Sequence, residues 1–157
     1  MRNKKIVVIG AGNPYRGDDA VGAVFLRRIR DRLPAQAVGV RSGEEPIAMI
    51  EAWGRAEAAF VVDAMHSQSC SERVIRFEAH SKAIPAEAWR SSTHAIGVAE
   101  AIELSRTLGR LPPRVVVYGI RGDHFDHGQE LSPEVDAACD TVVERVLEEI
   151  RGLVESG

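Results

Sequence analysis

Cysteine is scarce in this chain. Its 157 residues hold two, Cys70 and Cys139, far apart and in no paired motif. Both are expected as reduced thiols, and neither stands in the sequence setting of a cysteine peptidase. Long hydrophobic runs are also missing. The apolar stretch Ile6 to Ile9 is far too short to span a bilayer, and the N-terminus has neither the apolar core of a signal peptide nor a small-residue cleavage site. A cytoplasmic protein with no membrane partner is expected. Neither sign of charge dominates. A formal net charge of −3 gives no electrostatic footprint for nucleic acid or an acidic membrane surface. Two hydrolase signatures are absent as well: there is no G-x-S-x-G nucleophile elbow and no H-E-x-x-H zinc-peptidase helix.

What is present is the composition of an ordinary globular domain, 45% hydrophobic and 27% charged, with no repeat, low-complexity tract or linker. One domain over residues 1–157 is expected. Short apolar runs alternate with amphipathic stretches. The patterning predicts strands at 5–9, 37–40, 58–64, 73–79 and 115–120, and helices at 18–33, 47–55, 93–108 and 133–154. Phe60, Val61 and Val62 form a continuous apolar run, as in a strand covered on both faces. The link from the third strand to the fourth is short and carries no helix, which predicts an antiparallel pair there. Gly22 sits inside the first helix, where glycine costs about 1 kcal/mol against alanine, so close packing of helix on strand is expected. Ser132 before Pro133 marks the start of the last helix. The order βαβαββαβα predicts an α/β fold: a single domain with a twisted, mostly parallel five-stranded sheet, helices on both faces and one antiparallel strand.

The most informative segment follows the first strand. Ile9-Gly10-Ala11-Gly12-Asn13-Pro14-Tyr15-Arg16-Gly17-Asp18-Asp19 is a glycine-rich turn ending in two adjacent carboxylates. It is a poor dinucleotide fingerprint. Tyr15 stands where the third glycine belongs, Pro14 removes a backbone donor, and the acids occupy the place an anionic phosphate would take. Asp18 can cap the helix and Asp19 can favour its dipole, but one cap is enough and the second acid needs another explanation.

Asp63, near the end of the third strand, is costly to bury unless it is paired, ligating or bound to loop amides. His94 lies among Ser91, Ser92 and Thr93, which offer N-caps for the third helix. A helix N-terminus disfavours imidazolium and so favours the neutral, metal-competent ring, although a plain surface histidine fits the same position. Each of the three follows a strand, so Asp19, Asp63 and His94 can converge on one crevice. One imidazole and two carboxylates make a mixed N/O site for a first-row divalent ion, with positions left open for another molecule. The tract Asp123-His124-Phe125-Asp126-His127 is metal-like in composition but reads as a solvated loop. His66 and His80 have no evident partners, though His66 follows Asp63 closely enough to border the same crevice.

These residues resemble those of the hydrogenase maturation endopeptidases. The resemblance rests on Gly10-Ala11-Gly12-Asn13-Pro14, Asp18-Asp19 and Gly22, then on Val62-Asp63-Ala64, then on Ser92-Thr93-His94 with Gly97. It continues through Tyr118-Gly119-Ile120, Phe125, Gly128 and Leu131-Ser132-Pro133. It implies a twisted sheet between helices, and Asp19, Asp63 and His94 as both metal-binding and catalytic residues. The histidine context here, Ser-Thr-His, departs mildly from the Ser-His-His seen in that family. The implied activity is one cut that removes a short C-terminal tail from the nickel-loaded precursor of a nickel–iron hydrogenase large subunit. The implied partner is that precursor. No resident cofactor is expected, because nickel arrives with the substrate. Asp19 is the candidate general base, since an acid on a turn moves more easily than one at a strand end. A non-catalytic metal-sensing chaperone for a metalloprotein precursor is the competing reading.

Overall fold

The computed structural model describes residues 5–13, 15, 17–42, 46–65, 72–84, 98–123, 125 and 130–156. Five strands form one sheet: β1 (Ile6–Ala11), β2 (Ala37–Ser42), β3 (Ala58–Met65), β4 (Val74–Glu78) and β5 (Arg114–Arg121). Four helices cover it: α1 (Val21–Ile29), α2 (Pro46–Trp53), α3 (Val98–Thr107) and α4 (Pro133–Glu155). The strand order is β2-β1-β3-β5-β4. The first four strands in that order run parallel, and β4 alone is antiparallel.

The layers follow from the two-residue period of the strands. Val8, Phe60, Val62 and Tyr118 face α1 and α4, packing on Phe25, Leu26, Val142 and Val146. Val7, Ile9, Val61 and Val117 face α2 and α3, packing on Trp53, Val98 and Ile102. All eight residues of β3 are buried, as its continuous apolar run predicts for a central strand. Cys139 of α4 is a free thiol in the first layer, where burial pushes its pKa up to about 11. A thiol held protonated in this way is no nucleophile at neutral pH. Cys70 lies outside the described residues. Among the described residues no helix is long and apolar enough to cross a membrane.

Two expectations need correction. The antiparallel strand β4 pairs with β5, not with β3. Both edges of β3 are already taken by β1 and β5, so β4 can add only at the rim. The first helix is also not continuous over 18–33. Gly17–Ala20 forms a 3-10 turn, α1 proper begins at Val21, and Arg30–Arg32 is a second 3-10 turn. The reason for Gly22 is plain in the structure. A Cβ there would lie 2.0 Å from the Ala11 carbonyl oxygen, and one on Gly10 would lie 2.1 Å from the Gly22 carbonyl. Helix and strand touch backbone to backbone at this crossing.

Candidate active site

The strand order reverses between β1 and β3. From β1 the chain crosses outward to β2, whereas from β3 it goes the other way, to β4 and β5. A crevice outside the C-terminal ends of β1 and β3 is where open α/β sheets bind ligands. The Gly12 turn leaves β1 at this point. Gly10 is in register with Val62, so the residue after it runs beside Asp63 and the turn opens next to that carboxylate.

Gly12 has φ +112°, a backbone conformation open to glycine and strained for other residues. It also has no room for a side chain. A Cβ there would stand 2.5 Å from the Asp19 carbonyl oxygen, 3.1 Å from Asp19 Oδ1 and 3.3 Å from Asp63 Oδ1. Asp19 and Asp63 therefore flank one point of backbone, and the structure brings these two predicted residues together. Both are nearly inaccessible, at 3% and 5% exposure. The Asn13 N–H donates to Asp19 Oδ2 at 3.0 Å, and the Ala64 N–H donates to Asp63 Oδ1 at 2.8 Å. Asn13 stands in the motif of the resemblance, but its contact here is a backbone donor, which leaves no signal in residue type.

Asp18 has a different task. It is fully buried and does not cap α1, whose N-cap position is Ala20 with no side-chain bond. Its Oδ2 accepts the Asp123 N–H at 2.8 Å and the Ser132 hydroxyl at 2.7 Å, and its Oδ1 accepts the Ser132 N–H at 2.7 Å. The carboxylate thus ties the first turn to the connection between β5 and α4. Ser132 does hold the N-cap position of α4, but its hydroxyl is bound to Asp18 and makes no cap bond.

His94 lies outside the described residues, as do His66, His124, Asp126 and His127. The rest of the metal-like tract has structural work. Asp123 pairs with Arg73 at 2.9 Å, and Phe125 packs on the α1–α4 layer. The loop reading therefore holds for Asp123 only in part, since its carboxylate is paired. His80 proves to have a partner: its Nδ1 accepts the Val115 N–H at 3.0 Å, at the opposite edge of the sheet. Among the described residues no group of three or more His, Cys, Asp or Glu is placed to hold a metal ion. The described part of the site is two carboxylates.

The comparisons with known proteins agree with this architecture. A sequence model of the hydrogenase maturation protease family matches residues 35–149, a span that includes Asp63 and His94. The hydrogenase 2 maturation protease of Escherichia coli (strain K12) is 22% identical over 155 residues, covering 98% of this chain and 93% of that protein. The hydrogenase maturating endopeptidase HybD from E. coli superposes with a TM-score of 0.74 at 21% identity, covering 98% of this chain and 94% of its own. The NiFe hydrogenase maturation protease HycI from Thermococcus kodakarensis gives 0.73 at 21% identity, with 94% and 93% covered. The superpositions speak for the fold and the family match for the lineage: this chain belongs to the hydrogenase maturation protease family, a family of peptidases.

Proposed function

We propose that this protein is an endopeptidase that removes a short C-terminal peptide from the nickel-loaded precursor of a nickel–iron hydrogenase large subunit. The observation that carries the reading is the pair of buried carboxylates, Asp19 and Asp63, on either side of Gly12 in a chain of this family. Two like charges confined in one crevice repel, and a cation that enters relieves the repulsion. Here the cation is nickel carried by the substrate, so binding is strongest when the precursor is loaded.

His94 completes the donor set in this reading. Connectivity supports it. α3 ends at Thr107 and leads into the start of β5 at the N-terminal edge of the sheet, so its other end, Val98, lies toward the C-terminal edge. α3 also packs on the α2–α3 layer, the face to which Asp63 belongs by strand alternation. α3 therefore begins, at Val98, at the crevice end and on the face of Asp63, and His94 precedes it by four residues in the sequence.

With nickel held by Asp19, Asp63 and His94, the scissile bond is fixed beside the carboxylates, and positioning lowers the barrier. Asp19 is the general base. Its Oδ2 accepts the Asn13 N–H, which orients the carboxylate, and its Oδ1 lies on the side of Gly12 that it shares with Asp63 Oδ1.

Intact-mass analysis of a nickel-loaded and a nickel-free large-subunit precursor, each incubated with the purified protein, tests this. Loss of a C-terminal peptide from the loaded form alone is the expected result. A stable complex with no loss of mass would replace the peptidase reading with a chaperone.

A further inference from the structure

A second feature begins beside the carboxylates and runs away from them. Ala20, Ala23, Arg27 and Arg30 recur at three- and four-residue spacing and form one stripe along α1 and its flanking turns. With Tyr15 and Arg41 they line an open cavity of about 320 Å³ between α1 and β2. Arg41 is in register with Gly10 on the α1 face, two residues beyond Gly39, where a Cβ would meet Leu26. β2 is an edge strand, so one side of its backbone has no neighbour in the sheet. At 1.5 Å per residue the stripe from Ala20 to Arg30 is about 15 Å long, room for four or five residues of extended chain.

Among the described residues the charge of this groove is not offset from within. Arg28 and Arg32, on another stripe of the same helix, pair with Asp136, Asp140 and Glu144 of α4. Among the described residues Arg27, Arg30 and Arg41 have no carboxylate in ion-pair reach. One end of the groove lies next to the site in the chain: its lining includes Ala20, which follows Asp19, and Tyr15, 62% exposed in the same turn.

Resting on the peptidase reading above, we propose that this groove holds the segment beyond the scissile bond, and that the segment is acidic. Its carboxylates meet Arg27, Arg30 and Arg41 while the bond to be cut lies at Asp19 and Asp63. Planar guanidinium groups suit carboxylates, whether from side chains or from the chain terminus. The groove thus selects the client by the charge of its tail, separately from the metal.

Fluorescence anisotropy with labelled hexaglutamate, its C-terminally amidated form and hexaglutamine reads the groove without any hydrogenase. Hexaglutamate is expected to bind, more weakly as salt is raised, and hexaglutamine is not. The triple variant Arg27→Gln, Arg30→Gln, Arg41→Gln should weaken hexaglutamate binding by about tenfold or more. The double variant Arg55→Gln, Arg110→Gln, beside a cationic cavity at the opposite edge of the sheet, should bind like the parent. Weaker binding of the amidated peptide assigns the contact to the terminal carboxylate; equal binding assigns it to side chains. Hexaglutamate binding equally to parent and triple variant would overturn the groove. The loaded precursor separates the two proposals. If it stays uncut while peptide binding depends on the three arginines, the peptidase reading fails and the acidic-peptide groove stands. If both proteins cut it at equal kcat/KM and neither binds hexaglutamate, the groove fails and the peptidase stands. With both correct, the triple variant raises KM and leaves kcat near that of the parent.

Discussion

The two edges of the sheet are built to different rules. At the N-terminal edge the connections close on themselves with short backbone bonds. The Ile6 N–H donates to the Gln36 carbonyl at 2.9 Å, and the Glu57 N–H to the Lys5 carbonyl at 2.9 Å. His80 caps Val115 beside them. At the C-terminal edge three aspartates, Asp18, Asp19 and Asp63, are buried, and glycines stand where no side chain fits. Stability alone explains the first edge. It does not explain the second, where buried carboxylates are costly unless something is gained from them. The asymmetry teaches where the chemistry is, and within the costly edge it separates Asp18, which ties the first turn to the connection before α4, from Asp19 and Asp63, which meet at Gly12.

The largest effects should come from the two carboxylates at Gly12. Asp19→Asn and Asp63→Asn keep the side-chain shape and an oxygen that can accept the Asn13 or Ala64 N–H. Processing of the loaded precursor is expected to fall about 10²- to 10⁴-fold in each, with circular dichroism and Tm close to the parent. Undiminished cutting by either variant would remove that residue from the site. Asp18→Ala should behave in the opposite sense. It leaves the Asp123 N–H, the Ser132 N–H and the Ser132 hydroxyl without their acceptor, a loss of about 2–4 kcal/mol in urea unfolding. What protein remains folded should still process. If Asp18→Ala instead kept its stability and lost activity, the division between the two neighbouring aspartates would collapse.

The glycine crossing comes next. A Cβ at Gly22 would drive into the Ala11 carbonyl at 2.0 Å, backbone that cannot move without shifting β1. Gly22→Ala should cost about 1–3 kcal/mol of stability, the usual range for an overpacked core. Because the crossing lies directly beneath the Gly12 turn, kcat should fall as well. A stable and fully active Gly22→Ala would show that helix and turn adjust independently.

Much of this could be read in advance, and the failures share a cause. Apolar periodicity located the five strands and four helices apart from their ends, because burial on one or both faces leaves a local pattern; the first residues of the helix expected at 93–108 lie outside the described residues. The chain order of strands and turns also set Asp19 and Asp63 at the same sheet edge. What stayed hidden depends on partners distant in sequence. Asp18 read as a helix cap because its acceptors' partners, Asp123 and Ser132, lie more than a hundred residues on. The break before α1 was invisible for the same reason, since the turn over Gly17–Ala20 exists to bury both acids. Arg27 and Arg28 are neighbours on a polar helix face and indistinguishable by pattern, yet one borders a groove and the other meets α4. Charge on a helix surface acquires meaning only from what faces it.

The smallest expected effect bears hardest on the comparison. His80→Ala removes the acceptor of the Val115 N–H at the N-terminal edge, where β5 begins. One backbone donor left unpaired costs about 1 kcal/mol, and less where water enters the space the ring leaves. The disturbance starts at the first residues of a strand that passes Asp63 at Gly119 and leads on to Asp123 and the Asp18 tie. A rigid sheet should confine the loss to its own end. Urea unfolding is therefore expected to show the deficit while processing of the loaded precursor remains at the parent rate. A matching fall in processing would mean that β5 transmits strain along its length, and that the two edges work as one unit.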